Sequence, residues 1–230
     1  MKDETCQSIV NKSFIMYAKI LRHIIHFYNR MRLRNRDFSL ISNTCIGGIM
    51  SHELNLQFRS PIINCAIYDH DEFFIFCRHL EHYLSLPLDF IPPKWNYPMA
   101  VLHGDYGDVT IYFVHYHSNE EAQKKWEERK TRVNLDNIII LMDGDNCSDQ
   151  QVRTFDTLPW QRKAIITMKE YPEIKSVWAI THPDYKQGQI LEYGLLKHSI
   201  RWFEMMDYVH FFNTGKIRDN ALFRNKKKNR

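Results

Sequence analysis

A chain of 230 residues, 44% hydrophobic and 25% charged, has the length and composition of one globular domain with a proper core. Five cysteines, an odd number with no CxxC, argue against a disulfide framework or a structural zinc site and for reduced thiols. Net charge is +4, which permits an anionic partner without demanding one. No run of about 18 apolar residues could span a bilayer, and Met1-Lys2-Asp3-Glu4-Thr5 does not read as a signal peptide. The expected location is cytoplasmic.

Residues 11–35 repeat apolar side chains at three- and four-residue steps: Phe14, Tyr17, Ala18, Leu21, Ile24, Ile25, Tyr28 and Met31. That spacing predicts an amphipathic helix packed on the domain. With Arg22, Arg30 and Arg34 beside the stripe, the same helix also suits an anionic, inner-membrane face. Phe38–Ser42 is a short strand that stops at Asn43-Thr44-Cys45-Ile46-Gly47-Gly48, where paired glycines mark a tight turn or close backbone approach. Residues 49–56 form a short helix and Ile62–Tyr68 a second strand. Asp69, with Glu72 three residues on, caps a helix whose buried stripe is Phe73, Phe76, Cys77, Leu80 and Leu84. Pro87, Pro92 and Pro93 mark a loop.

Pro98–Leu102 and Val109–Tyr116 are strands joined by a hairpin through Gly104–Asp108. Ser118 caps a helix running to about residue 133. Asn137–Met142 carries four consecutive large apolar residues, the mark of a central strand covered on both faces. Ser148 and Gln151 cap the next helix. Lys163–Met168 and Ser176–Thr181 are further strands, residues near 190–207 are helical, and Arg224–Arg230 is a basic tail. The alternation predicts an α/β domain over residues 36–215, with helices on both faces of a mixed, largely parallel sheet. A helix at 1–35 precedes it and a tail at 216–230 follows.

In such sheets ligands sit beyond the carboxyl ends of the strands. The turns after Ile41, Val114 and Met142 are therefore the places for chemistry. Asp143 and Asp145 can hold a hard divalent cation, Mg²⁺ or Mn²⁺, that bridges the phosphates of a nucleotide sugar; the same carboxylates can instead satisfy turn amides. Ser42–Gly48 offers hydroxyl, amide and thiol groups and a glycine turn that suits phosphate, although no Gly-Lys-Ser/Thr follows. Cys45 is a candidate nucleophile or an inert buried thiol. His115 and His117 point the same way on an extended strand, and His115 is a candidate base. Nucleic acid is not expected, because no recognition motif is present and the middle of the chain is close to neutral.

Ile41–Gly48, Phe113-Val114-His115-Tyr116, the Ser118–Arg129 stretch and Asp143-Gly144-Asp145-Asn146-Cys147 together resemble the bacterial family called domain of unknown function 1919. The likeness covers roughly residues 36–215; Ile46 stands where Trp is usual and Asn146 where Gly is. The resemblance implies an α/β/α sandwich and work in capsule or exopolysaccharide biosynthesis. The expectation is then a transferase, most concretely a nucleotide-sugar-dependent glycosyltransferase with a glycan or lipid-linked acceptor. Asp143 and Asp145 would bind metal. Ser42, Asn43, Gly47, Gly48, Tyr116, Lys125 and Arg129 would bind substrate, and His115 would act as base. A Cys45/His115 acyltransferase or hydrolase is the alternative, and a non-catalytic accessory of a membrane-bound assembly complex is a third.

Overall fold

A computed structural model of the chain describes residues 20–180 and 201–221. In chain order they form α1 (20–32), β1 (Ser39–Ser42), α2 (Ile46–Glu53), α3 (His70–Arg78), α4 (Leu80–Ser85), β2 (Asp89–Ile91), β3 (Met99–Gly104) and β4 (Gly107–Tyr112). Then follow α5 (Asn119–Lys130), β5 (Ile138–Asp143), α6 (Asp149–Asp156), β6 (Lys163–Thr167), β7 (Val177–Ala179) and α7 (Tyr208–Thr214).

β5 is the organising strand. All six of its residues are buried, and it pairs in parallel with β1 on one side and β6 on the other. The four-stranded sheet runs β1-β5-β6-β7. Because side chains alternate across a strand, β5 feeds two cores at once. Ile138, Ile140 and Met142 pack with Phe73, Phe76, Trp126 and Phe155 of α3, α5 and α6. Ile139 and Leu141 pack with Met50 of α2 and with Phe211 and Phe212 of α7 on the other face. The result is the expected helix–sheet–helix layering.

A second sheet, β2-β3-β4, is antiparallel. Its β3–β4 hairpin turns at Asp105-Tyr106, between paired Gly104 and Gly107. Gly107 has φ 124°, a conformation that a side chain would strain. The two sheets meet through residues 66 and 67. Ala66 bridges Tyr112, and the Ile67 amide donates to the Asn43 carbonyl at 3.0 Å.

The caps follow the sequence. Asp69 accepts from the Asp71 and Glu72 amides, Ser118 from Glu121, and Ser148 and Gln151 form a complete capping box. Several expectations change. The segment expected as a strand at Ile62–Tyr68 is a turn at 61–64 with a single bridge at Ala66; Asn64 takes a left-handed φ of 65°, which no strand accommodates. β4 ends at Tyr112 rather than Tyr116. The Phe113 amide still reaches the Pro98 carbonyl, but Pro98 has no N–H to return, so the ladder stops. His115 consequently sits in a turn, not on a strand. Residues 216–220, expected in the tail, pack on the domain: Asn220 is buried and Asp219 accepts from Trp178 Nε1.

α1 is pinned to α7 through Asn29 Nδ2, which donates to the Tyr208 hydroxyl at 3.0 Å, and through the Arg32–Asp207 ion pair at 2.6 Å. Ile25 and Asn29 are buried, whereas Ile24, Tyr28 and Met31, expected in the buried stripe, are exposed. Of the helix expected near 190–207, residues 181–200 lie outside the described residues. Trp202–Met205 forms a 3₁₀ turn, and α7 follows it.

Gly144 closes the end of β5, its amide donating to the Ile166 carbonyl at 2.9 Å. A β-carbon there would lie 2.8 Å from that carbonyl and 2.6 Å from Ile165 Cγ1. Gly144→Ala is expected to cost roughly 2–3 kcal/mol of stability through overpacking, read from urea unfolding midpoints at unchanged m-value.

Candidate functional site

The turn after β1 is braced from within. Ser42 Oγ donates to the Thr44 carbonyl at 2.7 Å and accepts the Gly47 amide at 3.1 Å. Asn43 extends the β1–β5 pairing with its side chain: Nδ2 donates to the Asp143 carbonyl at 3.0 Å, and Oδ1 accepts the Asp143 amide at 2.9 Å. Both glycines are close-approach positions. A β-carbon would lie 2.6 Å from Ser42 Oγ at Gly47 and 2.5 Å from Asn64 Oδ1 at Gly48. These residues shape the site more than they offer free groups to it.

What they shape is the N-terminal end of α2, where Cys45 is the cap residue, its own side chain makes no capping bond, and Ser42 Oγ takes the Gly47 amide. That end opens into a cleft of about 730 Å³, within the range of small-molecule sites. From α1 the cleft receives Arg22, His23, His26 and Arg30; from α2, Gly48, Ile49, His52 and Glu53. Cys45, Phe58, Asn64, His115 and Arg201 complete the wall. Glu53 is the hub of one side. Its Oε1 lies 2.9 Å from Arg22, 2.7 Å from Arg201 and 3.3 Å from His26 Nε2, and its backbone carbonyl accepts from Arg30 Nε at 2.7 Å. Burial opposes its ionisation, but His26, Arg201 and Arg22 outweigh that and hold the carboxyl below its ordinary range. Glu204 stands behind, 3.5 Å from Arg22, its own carboxyl pushed up mainly by burial.

Cys45 and His115 therefore share one cleft. Burial pushes the Cys45 thiol above its ordinary value, which is the opposite of an activated nucleophile. Tyr116 and Arg129 lie underneath. Arg129 is buried, and its Nη1 donates to the Tyr116 hydroxyl and, at 2.8 Å, to the Ile63 carbonyl. The Tyr116 hydroxyl donates to the same carbonyl at 3.0 Å, and the Arg129 guanidinium stacks on Phe58 at 5.1 Å. This pair fixes the turn that presents Asn64 and Phe58 to the cleft. Lys125 is on the outer face of α5, paired with Glu128 at 3.0 Å. His117 is exposed and donates its amide to Glu121.

Asp143 ends β5, clasped by Asn43, and Asp145 follows in the turn; neither lines the cleft. Asp143 Oδ1 accepts the Asp145 amide at 3.2 Å. Burial, with the nearby Asp145 charge adding to it, pushes the Asp143 carboxyl up to about 7, against that hydrogen bond. Asn146 has φ 61°, a left-handed conformation that Asn adopts more readily than most residues other than Gly. Cys147 Sγ is 3.3 Å from His70 Nδ1, and burial followed by the charges of Asp143, Asp145 and Asp71 pushes its thiol up to about 12. The four described cysteines are free.

The family described as "Domain of unknown function (DUF1919)" matches residues 16–213. The chain belongs to that family. An uncharacterized protein of Haemophilus influenzae is 34% identical over 193 residues, covering 81% of this chain and 91% of that protein. The matched span takes in both α1 and Arg201, so the whole cleft lies within the family domain.

Sequence reasoning placed Cys45, Gly48 and His115 at the cleft but missed the α1 side. Arg22, His26 and Arg30 recur every four residues, so they share a helix face; that spacing was the available signal. Nothing in the sequence tied Glu53, Asn64 or Arg201 to them. Among the described residues no helix is long and apolar enough to cross a membrane.

The raised Asp143 pKa has a signed consequence. In the unfolded chain the carboxyl titrates near 3.8 and in the folded protein near 7, so its stabilising share is complete below the lower value and is lost as pH rises through the upper one. Asp143→Asn keeps the acceptor for the Asp145 amide and removes the titration. The variant is expected to gain on the parent across this window, by roughly 2–4 kcal/mol at pH 8. The measurement is urea unfolding of both proteins from pH 4 to pH 8.

Proposed function

We propose that this protein is a transferase that takes a phosphate-bearing donor in the α1–α2 cleft, most concretely a nucleotide sugar used in surface-polysaccharide assembly. One observation carries the reading: Arg22, Arg30 and Arg201 face the cavity with His23, His26, His52 and His115, beside the N-terminal end of α2. Glu53 is the lining carboxylate among the described residues, and its Oε1 is engaged by Arg22 and Arg201. Guanidinium groups and a helix N-terminus are the standard recognition chemistry for phosphate. The polysaccharide setting rests on the family resemblance alone.

In this reading Arg30, His52 and Asn64 contact the donor, and the Glu53 hub holds Arg22 and Arg201 in place. His115, exposed at the cleft wall, accepts the proton of the acceptor hydroxyl as its oxygen bonds to the sugar carbon. The bond from that carbon to the nucleoside diphosphate breaks, and the diphosphate leaves.

The donor set of Asp143 and Asp145 is two hard carboxylate oxygens at the end of β5, which fits Mg²⁺ or Mn²⁺. The pKa raised to about 7 is what burial next to a second acid produces, and a bound cation reverses it. If bound, the cation would supply positive charge at the sheet edge beside the cleft, across Asn43 from Cys45.

Cys45 and His115 in one cleft is the observation that favours Cys/His acyl transfer as a second reading, and the raised thiol pKa opposes it.

A thermal-shift screen of nucleotide sugars, with and without Mg²⁺ or Mn²⁺, tests the donor. A true ligand at about 100 times its Kd stabilises by roughly 2.7 kcal/mol, and Arg30→Ala/His52→Ala is expected to abolish the shift. If no nucleotide sugar moves the melting temperature under any metal condition, the donor assignment fails. With a donor in hand, His115→Ala is expected to lower turnover about a hundredfold or more, while Cys45→Ser keeps it. Turnover lost in Cys45→Ser, with donor binding intact, would overturn the glycosyl reading in favour of thiol chemistry.

A further inference from the structure

α1 buries the wrong face for a helix whose apolar residues serve only the core. Ile20, Ile24, Phe27, Tyr28 and Met31 are between 42% and 63% exposed. On a helix of about 3.6 residues per turn they form one stripe roughly 100° wide. The face turned inward is mixed, with Ile25 and Asn29 buried and Arg32 paired to Asp207. Along one flank of the stripe lie His23, Arg30 and Arg34, all exposed. Residues 20–36 contain five arginines and no Asp or Glu. A wide apolar band with aromatic members and a cationic border is what an interfacial helix presents.

We infer that this face of α1 docks the protein onto an anionic phospholipid surface, with the stripe among the acyl-chain boundaries and the Arg34 end of its exposed cationic flank at the phosphates. A second copy of this face, which carries no Asp or Glu, would offer no opposite charge to the cationic border. An anionic headgroup layer complements it, each basic residue near the surface adding to attraction. The flank that carries His23 and Arg30 is also a wall of the cleft. Docking on this face therefore sets the cleft mouth at the headgroup level. That consequence rests on the function proposed above, whereas the docking itself does not.

The test uses the full chain, with vesicles of phosphatidylcholine alone and with phosphatidylglycerol added. Co-sedimentation is expected to be about tenfold stronger or more on the anionic vesicles and to fall with added salt. Phe27→Glu/Met31→Glu replaces two exposed side chains, so circular dichroism and melting should match the parent while vesicle binding drops about tenfold or more. Equal binding to both vesicle types, or binding untouched by the double variant, overturns the inference. So does light scattering that shows a dimer in the parent and a monomer in the variant, because a second copy then covers the stripe. Nucleotide-sugar melting shifts measured on the same variant separate the two proposals: loss of vesicle binding with shifts retained concerns α1 alone, and vesicle binding without any shift leaves α1 standing while the donor assignment fails.

Discussion

Everything in this fold leans on β5. Its six buried residues carry side chains into both cores, and its edges pair with β1 and β6. A strand buried on both faces must be apolar to its last residue or pair whatever polar group it carries. Asp143 is the exception at the end. It is buried, it braces its own turn, and its backbone is clasped by Asn43. The clasp couples the ends of β1 and β5, and so ties the geometry of the Ser42–Gly48 turn to the central strand.

The cleft then follows from two close approaches. Gly47 lets the first turn of α2 sit against Ser42, and Gly48 lets Asn64 in. Arg129 and Tyr116 hold the Asn64 turn from below. The other wall comes from α1, the helix that precedes β1, joined through Glu53. A single buried carboxylate thus organises Arg22, His26 and Arg201. Breaking such a buried hub leaves charges unpaired, so its loss would disturb the position of the cleft arginines as much as the fold.

The two acids of Asp143-x-Asp145 and the cleft residues Cys45 and His115 are neighbouring but separate features. Asn43 stands between them, one end of the turn bonded to Asp143 and the other leading into Cys45. Both thiols at this sheet edge are pushed towards the protonated form by burial. The distinctive chemistry of the edge is therefore positive charge in a cleft beside a carboxylate pair.

The sequence by itself determined the layered α/β architecture, because the Ile138–Leu141 run and the caps at Asp69, Ser118 and Ser148 are local signals. It also located the strand-end turns, since paired glycines and a two-Asp turn are written locally. Only the tertiary structure decided which of those residues face a cavity. Tyr116 follows His115 and turns inward where the ladder ends at Pro98, and Arg129, on the next helix, turns inward to meet it. Likewise, periodicity identified an apolar stripe on α1 but not the side on which the domain would lie. That was set by Asn29 and Arg32 finding Tyr208 and Asp207 on α7, polar contacts more than 170 residues apart in sequence that no local pattern encodes.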